Sequence, residues 1–254
     1  MKPLYSTAPG KVGPGPSHKP QTKAPRAAVN IKCFLSTGAD RNKFSDRGVR
    51  WMIEQISKES HLMKMEREVG HLPFSISDEI SSLHWVKIVT VGNTGVGKTC
   101  IIKHFCEDKF TPSYQATVGV DYGFKIHSHR DAEVRVHLWD MSGHNDYIEV
   151  RNELFVDSHA CLMVYDVTSI PSFENLDCWL KEVTQFTMDN VCIVVVANKV
   201  DVKGKRTVSR EEGMKWAQSR NLRFHETSAL SGQGIQNLFQ EVIEDVLKKS
   251  PKVR

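Results

Sequence analysis

The chain has 254 residues, a net charge of +4, 40% apolar residues and six cysteines. That length suits one folded domain with an extension. No apolar run reaches the roughly 18 residues of a spanning helix, and no Cys-x-x-Cys spacing occurs, so a helical membrane span and a cysteine-zinc framework are excluded. Cys100, Cys106, Cys161 and Cys192 fall in runs that read as strand or helix core, where a thiol acts as a small apolar group, and a reduced intracellular protein is expected.

The first fifty residues hold ten Lys or Arg against Asp40 and Asp46, so the chain's basicity belongs to its N-terminal part. Pro3, Pro9, Pro14, Pro16, Pro20 and Pro25, with Gly10, Gly13 and Gly15, leave too little apolar surface to offset the entropy of ordering, and residues 1–47 are expected to be disordered. Their charge suits a reversible, salt-sensitive contact with anionic membrane. Nucleic acid fits less well, because only Tyr5 and Phe34 could stack on bases. An organelle transit peptide is disfavoured, since the prolines break the amphipathic helix such a signal needs. Residues 48–84 read as an amphipathic helix and a linker. Trp51, Met52, Ile53, Ile56, Leu62, Met63 and Met65 recur at near-helical intervals, either to pack on the following domain or to dock on a partner or membrane.

A domain spans 85–248. The apolar strand pattern at 86–91 runs into Gly92-Asn93-Thr94-Gly95-Val96-Gly97-Lys98-Thr99, and a helix pattern follows over 98–107. A strand feeding a glycine-rich turn that opens a helix aims backbone N–H groups and the positive helix end at one point, which suits a phosphate. Lys98 reaches the β- and γ-phosphates as a point charge, and the Thr99 hydroxyl suits Mg²⁺. Further strands are expected at 122–129, 134–139, 161–166, 191–197 and 222–226, with helices at 147–156, 172–186, 209–220 and 233–248. The second and third strands form a hairpin through 128–131. This alternation implies an α/β fold, a P-loop NTPase with a mostly parallel six-stranded sheet and helices on both faces. Ligands in such sheets bind at the carboxyl ends of the strands, where every motif lies.

The base is read further along, at Asn198-Lys199-Val200-Asp201. The Asp201 carboxylate can accept from both guanine N1–H and the N2 amine, donors that adenine lacks on that edge, and adenine would leave a buried acceptor unpaired. Glu226-Thr227-Ser228-Ala229 follows a short strand and offers backbone N–H groups where guanine O6 would lie.

At this point the chain resembles the small Ras-like GTPases, and among them the Rab-like branch. Thr117-Val118-Gly119-Val120-Asp121-Tyr122 is similar to the Rab switch I segment, and Trp139-Asp140-Met141-Ser142-Gly143-His144 to the start of Rab switch II. Asp121-Tyr122-Gly123, Asp140–His144 and Glu149-Val150-Arg151-Asn152-Glu153 resemble the DnaJ-Rab-like subfamily. No His-Pro-Asp tripeptide occurs before Arg254, so no J domain is expected.

The resemblance implies that Phe110 packs on guanine and that Thr117 senses the γ-phosphate through Mg²⁺. It further implies that Asp140 holds Mg²⁺ through water and that Gly143 N–H meets the γ-phosphate. The implied metal set is Thr99, Thr117 and Asp140, and the catalytic set is His144, Lys98 and Thr117. The nucleotide set is Gly92 through Cys100, Phe110, Thr117, Gly143, Asn198, Lys199, Asp201, Ser228, Ala229 and Leu230. Effectors and regulators are implied at both switches. His144 departs from the family's water-orienting glutamine, which predicts slow unaided hydrolysis. Thr94 replaces a glycine of some Ras proteins, a change that Rab proteins tolerate as serine.

Residues 249–254 form a short basic tail without the prenylatable cysteines of Rab proteins, so a lipid anchor is not expected. A cytoplasmic, nuclear or peripherally membrane-bound protein is implied. The leading function is a GTP/GDP switch in signalling or vesicle trafficking. The alternative is a pseudo-GTPase scaffold that holds GTP nearly permanently, and an adenine-specific P-loop enzyme conflicts with Asp201.

Overall fold

The computed structural model describes residues 30–31, 84–113, 115–129, 132–188 and 190–249. The strands are β1 (Asn30–Ile31), β2 (His84–Val91), β3 (Val120–His129), β4 (Ala132–Met141), β5 (Ala160–Asp166), β6 (Cys192–Asn198) and β7 (Arg223–Glu226). They form one sheet in the order β1-β3-β4-β2-β5-β6-β7. β3 pairs antiparallel with β4, from Val120 opposite Met141 to His129 opposite Ala132, which is the expected hairpin. β4, β2, β5, β6 and β7 are mutually parallel.

Six strands therefore match the expected sheet, and a seventh is added. Asn30 and Ile31, inside the segment expected to be disordered, pair antiparallel with Gly123 and Tyr122 on the outer edge of β3. An edge strand presents unpaired N–H and C=O groups, so even two residues can be captured there. The remainder of the 1–47 extension, the amphipathic segment and Arg254 lie outside the described residues.

Helices cover both faces, as the near-continuous apolar runs of parallel strands require. Every residue of β5 is buried. On one face Val86, Ile88, Val136, Leu138, Val164 and Val196 pack with Ile101 and Phe105 of α1 (Lys98–Glu107) and with Leu238, Phe239 and Val242 of α6 (Ile235–Lys249). Phe105 and Phe239 stack with centroids 3.8 Å apart. On the other face Val89, Trp139, Met163 and Val195 meet α2 (Ile148–Leu154), α3 (Ile170–Glu174), α4 (Leu176–Phe186) and α5 (Arg210–Gln218).

Two helix expectations are revised. The helix expected over 172–186 is two helices, because Ser169 caps α3 early through the Ser172 N–H and the chain tightens at Asn175, whose N–H reaches back to Pro171 and Phe173. The helix expected over 147–156 is preceded by a tight turn at Asn145–Tyr147, started by the His144 side chain accepting from Asp146 N–H. Cap side chains of this kind override hydrophobic period when an element's first residue is set. α5 starts on a reciprocal capping box between Ser209 and Glu212.

The sheet register aligns the functional motifs. Thr90 is opposite Asp140, Asp166 is opposite Asn198, and Ala197 is opposite Glu226, so the ends of β2, β4, β5, β6 and β7 form one rim.

Candidate nucleotide site

The phosphate loop lies on that rim between β2 and α1. Gly97 has φ 98°, and a Cβ there would collide with Asn198 Nδ2, so this position demands glycine on both conformational and steric grounds. Lys98 turns its ammonium into the loop. Nζ donates to Gly92 O at 2.8 Å and Asn93 O at 3.0 Å. Burial lowers its pKa to about 8, with Asp140 pulling in the opposite direction. A buried lysine turned into this loop suits an anion, which would stabilise its charged form. Val96 is buried, whereas Thr94 and Gly95 face solvent.

Three oxygens from three segments converge beside it. Thr99 Oγ1 lies 3.0 Å from Thr117 Oγ1 and donates to Asp140 Oδ2 at 2.5 Å, while Thr117 Oγ1 donates to the same carboxylate oxygen at 3.2 Å. The expected metal residues are thus neighbours, although they are separated by up to 41 positions in sequence. Asp140 is buried, and burial raises its pKa above the usual carboxylate range against the pull of Lys98. Two hydroxyls and a carboxylate are hard oxygen donors, the type that suits Mg²⁺. Among the described residues no cluster of three His, Cys, Asp or Glu side chains offers a metal site.

The guanine element is fastened to the phosphate loop. Asn198 Nδ2 donates to Val96 O at 2.8 Å, and its Oδ1 accepts from Thr227 Oγ1 and from Ala229 N–H, each at 3.2 Å. Lys199 donates to Gly95 O at 2.8 Å and pairs with Asp166 Oδ2 at 2.6 Å. Asp201 Oδ1 accepts from Ser228 Oγ at 2.5 Å. The segment expected to present N–H groups to the base is narrower than its four residues. Thr227 N–H closes onto Ala197 O, Ser228 N–H onto Gln233 O and Ala229 N–H onto Asn198 Oδ1, bonds that build the loop itself, with the exposed Leu230 at its tip.

Phe110 lies just beyond α1 and is 36% exposed, Cys100 is half-buried with its thiol pKa raised by burial, and Thr117 is half-buried. Gly143 touches the loop closely: a Cβ there would lie 2.5 Å from Gly92 O and Thr94 N. His144 follows at once, but its side chain is 61% exposed. Its Nδ1 is 3.3 Å from Asp146 N and 3.2 Å from Asp146 Oδ2, and its ring meets Tyr147 edge-on. Of the expected catalytic set, Lys98 and Thr117 are therefore gathered at the loop, and His144 is turned outward to its own neighbours.

Sequence reasoning missed Asp166, which anchors Lys199, and the buried Arg151 and Trp179 with the partly buried Glu182. Arg151 lay in a motif quoted for resemblance alone, and Trp179 and Glu182 lay in the helix expected over 172–186 with no role assigned.

The model of the Ras family matches residues 87–248. DnaJ homolog subfamily C member 27 of Danio rerio is 46% identical over 166 residues, 63% of this chain and 61% of that protein. Its Homo sapiens counterpart is 45% identical over 161 residues, 61% of this chain and 59% of that protein. DnaJ homolog subfamily C member 27-B of Xenopus laevis is 40% identical over 197 residues, 74% of this chain and 67% of that protein. The match thus spans about three fifths of the length of the first two relatives, and it bears out the resemblance to the DnaJ-Rab-like group. With a family match over most of the chain and a phosphate loop joined to an Asn-Lys-x-Asp element on one rim, the chain belongs to the Ras family of small GTPases.

Proposed function

We propose that this protein is a Rab-like, GTP/GDP-dependent switch that hydrolyses GTP slowly on its own and recruits effectors in one nucleotide state. The single observation that carries the reading is the stitching of the guanine element to the phosphate loop by Asn198–Val96 and Lys199–Gly95, which brings a base reader and a phosphate cradle together. In this reading Asp201 accepts the two guanine donors, Phe110 covers the base, and the loop N–H groups with Lys98 hold the phosphates. Thr99, Thr117 and Asp140 would hold Mg²⁺, which neutralises phosphate charge when bound. Thr117 and Gly143 meet the γ-phosphate, and its loss releases both segments, which is how an order–disorder switch works.

The outward position of His144 favours slow unaided hydrolysis, because a ring bonded to Asp146 is not orienting a water at the γ-phosphate. The same observation supports a second reading, a pseudo-GTPase that holds GTP nearly permanently. Single-turnover hydrolysis by the purified full chain separates the two: measurable conversion of bound GTP over hours supports the switch, and none supports the scaffold. Signalling or vesicle trafficking is the proposed setting. A reversible contact between the basic residues 1–47 and anionic membrane is proposed on charge alone, since no described helix is long and apolar enough to cross a membrane. Its test is the salt sensitivity of vesicle binding by full-length and truncated protein.

A further inference from the structure

Arg151 on α2 is 1% exposed at its side chain, and each of its nitrogens is committed. Nη1 donates to Ser142 O at 3.0 Å and His144 O at 2.7 Å, the carbonyls of the two residues flanking Gly143. Nε and Nη2 donate to the two carboxylate oxygens of Glu182 on α4, at 2.7 and 3.1 Å. The guanidinium lies 4.9 Å from the ring centroid of Trp179, whose Nε1 donates to Asn93 Oδ1 in the phosphate loop at 2.8 Å. A continuous set of contacts therefore runs from the phosphate loop through α4 to the segment around Gly143.

A buried ion pair is weak evidence for stability, because well-packed apolar groups often serve as well. Its geometry explains what it does here. The Ser142 carbonyl and the Gly143 N–H belong to one planar peptide unit and point in opposite directions. Gripping that carbonyl fixes where the Gly143 N–H points, and gripping the His144 carbonyl fixes the His144–Asn145 peptide, so the segment is held on both sides of Gly143. Only a planar fork of donors can hold two carbonyls and a bidentate carboxylate at once, so lysine is not equivalent. Gly143 also lies against Gly92 and Thr94, where no side chain fits.

We infer that Arg151 is a positioning residue that aims the Gly143 N–H at the nucleotide's terminal phosphate, locked by Glu182 and coupled to the phosphate loop through Trp179 and Asn93. This rests on the reading that the site binds GTP and GDP. Only the nucleotide that carries a γ-phosphate uses the Gly143 N–H, so disturbing the lock lowers the affinity for GTP and spares that for GDP. Generic destabilisation would weaken both.

The test measures dissociation constants of a non-hydrolysable GTP analogue and of GDP for the full chain, its Arg151→Lys, Glu182→Gln and Trp179→Phe variants, and Arg220→Gln, which removes a separate ion pair to Asp177 on the same helix α4. Arg151→Lys and Glu182→Gln should each lower the GTP-analogue preference over GDP at least about fivefold, the lower end of usual coupling between sites. Trp179→Phe should give a smaller drop in the same direction, and Arg220→Gln none. If wild type binds neither nucleotide, the nucleotide reading fails. If wild type binds both and the folded variants keep its ratio, or lose both nucleotides equally, the positioning role is overturned. Should Arg151→Lys not fold, Glu182→Gln and Trp179→Phe, which leave the guanidinium in place, decide the matter.

Discussion

Asn198 donates its side-chain amide to Val96 O at 2.8 Å, across 102 residues of sequence, and accepts from Thr227 and Ala229 with its other end. One side chain thereby ties the phosphate loop, the end of β6 and the loop after β7 into a single rim. All of these partners are buried or nearly so. Replacing Asn198 with alanine strands a carbonyl, a hydroxyl and an N–H, at about 1–3 kcal/mol for each buried group left unpaired. Asn198→Ala is expected to weaken GDP binding at least about tenfold and to lower the melting temperature. Fluorescence titration with a labelled guanine nucleotide and thermal melts check both.

Asp201 has one carboxylate oxygen held by Ser228 Oγ, which fixes the direction of the group. Asp201→Asn puts a donor where guanine also donates, and the preference for guanine over adenine nucleotides should fall at least about a hundredfold, as expected when a polar reader is mismatched. An unchanged ratio of GTP to ATP affinity in the variant would show that another group reads the base.

The sheet was legible because its strands alternate with helices in pattern and each motif closes a strand. The β3–β4 hairpin needed only alternation and a turn. The phosphate loop and Asn198-Lys199-Val200-Asp201 were legible for a different reason, since few residue types can cradle a phosphate or read guanine. What escaped was tertiary. Nothing local marks Arg151 as buried, because an arginine between Val150 and Asn152 on a helix reads as a solvent-facing cation. Its burial depends on Glu182 and Trp179, about thirty residues away. The edge strand at Asn30–Ile31 lacked signal for the same reason, being made by the open edge of β3 and not by its own two residues.

His144→Gln tests the account of slow hydrolysis. The glutamine variant is expected to convert bound GTP roughly tenfold faster in single turnover at neutral pH, with GTP affinity within about twofold of wild type, since general acid–base and water-positioning groups contribute about 10²–10⁴-fold when well placed. A wild type faster than the variant would make the histidine a competent catalytic group.

His137 sets a pH dependence of stability. It is buried on β4 with Nδ1 2.6 Å from Tyr122 Oη, and burial, reinforced by Arg135, His159 and Lys87, lowers its pKa to about 4. The unfolded chain, titrating at the ordinary value of 6.5, therefore binds the proton first as pH falls. Stability is undiminished above about pH 6.5 and declines as pH drops towards 4, by up to about 3 kcal/mol. His137→Gln should flatten the decline between pH 6.5 and 4 in denaturant melts. Parallel slopes for the two proteins would place the titrating group elsewhere.

Competition for a labelled guanine nucleotide tests the central claim most directly. Purified full-length protein is loaded with fluorescent GDP, and unlabelled GTP, GDP and ATP are titrated in the presence of Mg²⁺. A guanine-specific switch predicts displacement by GTP and GDP at near-stoichiometric concentrations, and none by ATP at concentrations about a thousandfold higher. Equal displacement by ATP and GTP would contradict the assignment of Asp201, and with it the function proposed for the whole site.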